Sequence, residues 1–411
     1  MRARAYKIRT KGLSGMNGKT GMRREMEEHL RKVILPFWEG LADEKNGGYT
    51  GYVGFDLKKD ENAVKGCILH SRILWFFSTA MRVLKDESLR PYADRAYRAL
   101  LEMRDTENGG VFWSMTADMR PFDTTKHTYC QAFAIYGLSA YAMACGSGEA
   151  LEEAFKLFDV IEGRCRDEKG YLEAFKKDFS PESNEKLSEN GVSASRTMNT
   201  LLHVAEGYTE LYRASGDERV RKCLLEQLDI WERHMYNPAL SRQEVFFGED
   251  YQTLIDLTSY GHDIETSWLL DRTLDVLGDE EVTARVRPKL QSLAEAVVGE
   301  ALVPGKGTAN EKERGKVDKK RIWWVQAESV LGCLNAWKNG MGDKYLEAAR
   351  DQWHFILSRV WDRREGGEWF WYVTEDGEPA AEKPIVEPWK CPYHNGRMTL
   401  EVIGGREYEN I

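Results

Sequence analysis

The stretch "DEKNGGYTGYVGFD" (43–56) sets glycines beside acids and follows them with a short aromatic alternation, the signature of a small hairpin or extended loop. It returns as "DTENGGVFWSMTADMRPFD" (105–123), "DEKGYLEAFKKDFSP" (167–181) and "DRREGGEWFWYVTEDGEPA" (362–380). "LSRQEVFFGEDYQTLID" (240–256) is a weaker copy, and "GKGTANEKERGKVDKKR" (305–321) fills the equivalent interval with a charged, looser insert. Gly47, Gly109 and Gly170 stand 62 and 61 residues apart, so the chain repeats with a period near sixty.

Between these elements lie paired amphipathic segments: 70–84 with 90–104, 127–144 with 149–163, 196–214 with 217–235, 262–277 with 280–299, and 323–339 with 343–360. The segment 24–41 pairs with 392–403 and completes a sixth pair. The repeating unit is therefore helix, short link, helix, hairpin. Six pairs closed by the two ends of the chain predict an all-α ring, an (α/α)6 barrel, rather than an open superhelix. "ILWFFSTAM", "HTYCQAFAIYGLSAYAMA" and "WWVQAESVLGCLNAW" are apolar on nearly every side, as buried helices are. The first helix of each pair is thus the inner one. Inner-helix ends and hairpins line the mouth.

The whole of 24–411 reads as one catalytic domain, preceded by a basic, polar leader (1–23) expected to be disordered. That leader lacks the apolar core of a secretory signal. No run of eighteen apolar residues exists, so no membrane partner is expected. A net charge of −9, spread along the chain, argues against nucleic acid. Seven cysteines without a CxxC fit a reducing, cytoplasmic setting. The protein is expected to be a monomer.

Ionisable groups stand at the front of the inner helices. His262 and Glu265 lie one turn apart in "SYGHDIETSWLLDR" (259–272), with Ser259 or one of its neighbours as the expected cap. His394 follows Pro392, expected at the first helical position. The positive end of a helix disfavours imidazolium and keeps such rings able to take a proton. Asn199 and His203 share a face at i,i+4, an amide and an imidazole suited to a polyhydroxylated ligand. His127 and Tyr129 open another inner helix, and Arg72 sits inside the apolar run "LHSRILWFF". Trp323, Trp324, Glu328 and Trp389 add aromatic and acidic surface. His29, His234 and His354 read as structural or surface residues. There is no HExxH, cysteine cluster or phosphate-cradling glycine loop, so no metal and no cofactor is expected. Histidines rather than a carboxylate pair favour proton abstraction next to a carbonyl over glycoside hydrolysis.

From about residue 24 to 405 the chain resembles the cellobiose 2-epimerases, within the N-acylglucosamine 2-epimerase superfamily. The stretches that carry this are "ILPFWEGLADEKNGGYTGY", "SRILWFFS", "KHTYCQAFAIYGLSAY", "SENGVSASRTMNTLLHVAEGYTELYR", "SYGHDIETSWLLDR", "WWVQAES" and "PWKCPYHNGRM". The resemblance implies an (α/α)6 barrel. It also implies epimerisation of the reducing-end glucose of β-1,4-linked disaccharides (cellobiose, also lactose or mannobiose) to mannose or back. The implied route is ring opening, removal of the C2 proton by a histidine, a cis-enediolate and reprotonation. His262 and His394 match the acid–base pair, and His203 a third catalytic histidine linked to ring opening. Arg72, His127, Tyr129, Asn199, Glu265, Trp323, Trp324 and Trp389 match substrate-binding positions, either or both of the adjacent tryptophans facing the sugar. An N-acylglucosamine 2-epimerase, a mannose-type aldose–ketose isomerase, a disaccharide glycosidase and a non-catalytic carbohydrate-binding protein stay open as alternatives.

Overall fold

A computed structural model describes residues 21–187 and 190–411; most of the expected leader lies outside them. The first helix, α1 (Met22–His29), begins inside the last residues assigned to that leader and continues through a π-turn into α2 (Leu35–Glu39). The remaining helices are α3 (Cys67–Leu84), α4 (Arg90–Glu102), α5 (Thr128–Cys145), α6 (Gly148–Arg164), α7 (Met198–Ser215) and α8 (Glu218–Ile230). They are followed by α9 (Tyr260–Leu277), α10 (Glu280–Glu300), α11 (Trp323–Lys338), α12 (Asp343–Phe355) and α13 (His394–Gly404).

Composition decides which helix goes inside. In α5 every residue from Thr128 to Ala142 is buried, whereas α6 buries only Ala150, Ala154, Leu157, Phe158 and Ile161, a single stripe. The inner helices α3, α5, α7, α9, α11 and α13 each touch the next, and α13 returns to α3. Each packs on an outer partner, and α1 backs α13. The ring predicted from periodicity is present and closed by the two ends of the chain. Among the described residues no helix is long and apolar enough to cross a membrane.

The links are more regular than the sequence suggests. Each interval between an outer helix and the next inner one carries two tight hairpins, where one was expected. In five of the six intervals the second turns through a left-handed residue just after an aspartate: Leu57, Met119, Phe179, Tyr251 and Gly377 follow Asp56, Asp118, Asp178, Asp250 and Asp376. This is a tight turn ended by a left-handed position, usually glycine. Here bulky side chains accept the strain, and Phe179 and Tyr251 cover the cations Lys126 and Arg196. The segment 305–321 is not loose. Its hairpin, Glu311–Glu313 with Lys316–Asp318, adds two strands to Leu257–Ser259, which leads into α9.

A second repeat feature ties links to helices. The fourth residue of four inner helices accepts a backbone N–H from the preceding link: His70 from Tyr49, Gln131 from Val111, Asp263 from Gln243 and Gln326 from Thr308. Gly48 and Gly110 make room for this; a Cβ there would lie 2.7 Å from His70 Nε2 and 2.8 Å from Gln131 Oε1. Just ahead of the inner helices, buried Lys65 and Lys126 pair with Asp43 and Asp105 of the "DEKN" and "DTEN" turns.

Candidate active site

Inner-helix N-termini converge at the mouth that the hairpins surround, and three histidines face the axis there. Each gives Nδ1 to the protein. His203 Nδ1 lies 2.8 Å from Glu206 Oε2, His394 Nδ1 lies 2.7 Å from Glu328 Oε1, and His262 Nδ1 lies 2.7 Å from Ser259 Oγ. None of the three Nε2 atoms has a hydrogen-bond partner among the described residues. A ring held at one nitrogen and open at the other is oriented for proton transfer.

The two acid–base candidates both contact one indole. Trp324 packs 4.8 Å from His262 and 5.4 Å from His394, ring centre to ring centre. Gly261 allows this approach, because a Cβ there would meet the Trp324 ring at 2.4 Å. Trp324 is half-buried. Trp323 is buried, packed against Trp371 at 5.0 Å, and its indole N–H has no partner among the described residues. Trp389, half-buried, contacts Trp113 and Tyr129.

Arg72 is 3% exposed, and among the described residues no carboxylate pairs with it. Its guanidinium donates to Tyr129 Oη at 2.9 Å and to the Trp389 carbonyl at 3.2 Å, between the rings of Phe133 and Tyr393. A buried cation without a counter-ion is costly, and the site is correspondingly receptive to a substrate oxyanion. Asn199 Oδ1 is likewise buried without a partner among the described residues, an open acceptor. His127 differs. Both its nitrogens are occupied, Nδ1 by the Tyr129 N–H and Nε2 by Asn184 Oδ1, so it caps α5.

Beneath the histidines lies a charged cluster. Arg397 donates to Glu206 Oε1 at 2.5 Å, to Glu265 Oε1 at 2.6 Å and to Glu328 Oε1 at 2.7 Å, and it also contacts Tyr393 Oη. Trp268 Nε1 donates to the other oxygen of Glu328 at 2.8 Å. Burial pushes Glu265 up to about 7, reinforced by the Glu328 charge, and also raises Glu328. Burial works against Glu206 too, but Arg397 and then His203 outweigh it and hold that carboxyl at about 2. Burial depresses His262 to about 3, and burial with Arg397 and Arg72 depresses His394. The rings are therefore neutral, as position at a helix start suggested, but desolvation rather than helix polarity is the main cause.

Two expected local details differ. Ser259 occupies the N-cap of α9, yet its hydroxyl caps no backbone N–H. Pro392 precedes the first helical residue, His394, by two positions and is not itself at the start of the helix. Among the described residues, Glu265, Glu328 and His394 are the one group of ligand-type atoms close enough to hold a metal. The same carboxylate oxygens accept from Arg397, so a guanidinium stands where a cation would. Sequence reading missed Glu206, Tyr393 and Arg397, and the half-exposed Trp113 and Trp371 at the rim.

Three oriented imidazoles, a buried guanidinium with no carboxylate partner among the described residues, and an aromatic rim suit proton exchange at a sugar carbon. The family model described as N-acylglucosamine 2-epimerase matches residues 47–395. The chain belongs to this family. A cellobiose 2-epimerase from Eubacterium cellulosolvens is 49% identical over 393 residues, covering 92% of this chain and 96% of that protein. The solved structure of a sugar epimerase from a ruminal bacterium superposes with a TM-score of 0.91 at 45% identity, covering 93% of this chain and 98% of that one. The cellobiose 2-epimerase structure from Bacillus thermoamylovorans gives 0.89 at 40% identity, covering 93% and 98%. Within the N-acylglucosamine 2-epimerase family this chain is thus similar to cellobiose 2-epimerases along nearly its whole length.

Proposed function

We propose that the protein is a sugar isomerase that epimerises C2 of the reducing-end aldose in β-1,4-linked disaccharides, turning the glucose of cellobiose into mannose and back. The observation that carries this reading is the trio of histidines with Nδ1 anchored and Nε2 open among the described residues, two of them packed against Trp324.

The C2 hydrogen of the closed sugar is not acidic. His203, backed by Glu206, assists opening to the aldehyde by moving a proton between the ring oxygen and the anomeric hydroxyl. The carbonyl then makes C2–H acidic. One of His262 and His394 takes that proton at Nε2 and leaves a cis-enediolate. Arg72, with no carboxylate partner among the described residues, holds the oxygen that gains charge. Rotation about C2–C3 presents the other face; the opposite histidine, having taken a proton from solvent at Nε2, donates it to C2, and the first releases the abstracted proton to solvent, so both rings end neutral. Histidine suits both duties because a neutral ring accepts and an imidazolium donates near neutrality. The charge left on His394 is balanced by Glu328. Asn199 and the half-buried Trp324 and Trp389 bind the sugar, and the mouth leaves the second sugar outside the reacting centre.

We place this reaction in the cytoplasm; the seven free cysteines support a reducing compartment.

Incubation with cellobiose tests the function directly. Glucosyl-mannose without free glucose is the expected product, and free glucose or an unchanged sugar overturns the reading. Lactose, mannobiose, N-acetylglucosamine and free mannose in the same assay define the substrate class, with the β-1,4-linked disaccharides expected to turn over fastest.

A further inference from the structure

The N-caps of the inner helices do not all behave alike. His127 caps α5 by accepting from the Tyr129 N–H, and Thr197 caps α7 by accepting from the Thr200 N–H at 3.0 Å. Ser259 holds the same place in α9 and is among the residue types best suited to it, yet its side chain accepts from no backbone amide. The hydroxyl turns instead to Nδ1 of His262, three residues on, at 2.7 Å. Ser259 is 5% exposed, and its backbone is fixed by pairing with Glu311 of the 311–318 hairpin. A local preference given up at a buried, doubly held residue marks a functional constraint.

We propose that Ser259 is a positioning residue for His262, its hydroxyl withdrawn from the helix end to accept the Nδ1 proton and so keep Nε2 as the atom that exchanges a proton with C2. This rests on the proposed epimerisation and deepens it. When Nε2 takes the C2 proton, the ring becomes an imidazolium with Nδ1–H still on Ser259 Oγ. When Nε2 returns a proton, the same neutral tautomer is restored. His394 has an anionic partner at the same ring position, Glu328, which favours its protonated form. Ser259 is uncharged and lends no such support. The two histidines thus differ in their Nδ1 partner, hydroxyl against carboxylate, and the missing counter-charge makes His262 the more ready donor once protonated.

Ser259→Ala and Ser259→Thr test this. The Ala variant is expected to lose roughly 10- to 100-fold in kcat, with KM within about twofold of wild type. Its unfolding midpoint should stay within about 2 °C, because no cap is lost. Thr, which keeps the hydroxyl, should recover most of the rate. Long-range nitrogen NMR of the ring, which needs no substrate, should show His262 as the Nδ1–H tautomer in wild type and a tautomer mixture in the Ala variant. Wild-type kcat in the Ala variant, a fall in midpoint that accounts for the lost rate, or an Nε2–H tautomer in wild type would each overturn the proposal. Wild-type protein that leaves cellobiose unchanged would sink the proposed function instead, and the tautomer measurement would still decide the role of Ser259.

Discussion

Nδ1 of His394 lies 2.7 Å from Oε1 of Glu328, so an inner helix that closes the ring places its first residue against a carboxylate on its neighbour. The same oxygen accepts from Arg397, also at 2.7 Å. Protonation of His394 is thereby felt by the whole cluster beneath it.

Glu328→Gln removes the anion but keeps the shape. The imidazolium formed during turnover then loses its counter-charge. We expect kcat to fall roughly 100- to 1,000-fold with KM little changed, as measured by epimer formation from cellobiose. A fall confined to KM would place Glu328 in sugar binding rather than behind His394.

His262→Asn and His394→Asn separate the two faces of the enediolate. Each should reduce epimerisation by roughly 10³-fold. In heavy water each should still exchange the C2 hydrogen of one epimer, the one whose C2–H faces the remaining ring. Proton NMR of the recovered glucose- and mannose-ended sugars reads this. Two variants that exchange the same epimer would contradict a two-sided arrangement.

Asp263 does the work that His70, Gln131 and Gln326 do in other repeats, accepting a backbone N–H from the link. Burial pushes its carboxyl from 3.8 up to about 8. The folded state therefore holds a proton that the unfolded chain releases, and this contribution to stability falls as pH rises between those values, by at most about 1.4 kcal/mol per pH unit. Asp263→Asn removes the dependence. Its unfolding midpoint should exceed that of wild type at pH 9, with the gap closing toward pH 4.

His29 sits in the seam between α1 and α12, ringed by Trp353, Trp361 and Trp369, and accepts from the Trp369 indole at 2.9 Å. Burial lowers it from 6.5 to about 3. The unfolded chain binds a proton there that the folded one refuses, so stability falls as pH drops through that window, again by up to about 1.4 kcal/mol per unit. His29→Gln keeps an acceptor for the indole without the charge. Denaturant titrations between pH 7 and 4 should show a flatter acid limb for the variant.

The fold was legible because its punctuation repeats. Glycine-rich turns every sixty residues and fully apolar inner helices placed the helix boundaries within a few residues, and the pairing of 24–41 with 392–403 closed the ring. In four links the second hairpin was hidden, because it turns through Leu57, Met119, Phe179 and Tyr251, which carry no left-handed signature. At the site, His262, Glu265 and His394 stood out as polar residues at the front of greasy helices. Glu206 and Arg397 did not, since a glutamate or arginine inside a helix usually faces water. Yet Glu206 follows His203 by three, as Glu265 follows His262 and Arg397 follows His394, and that shared spacing was a usable signal. The choice between Trp323 and Trp324 was beyond the sequence, because adjacent helical residues point about 100° apart and only the ring's axis tells which one faces inward.

The helix that carries His394 and Arg397 is the last of the inner set to leave the ribosome. Glu206, Glu265 and Glu328, carried by three other inner helices, all depend on it for the one guanidinium they share. A chain cut short before this helix would therefore lack the counter-charge of three buried carboxylates and the proposed proton carrier at one stroke.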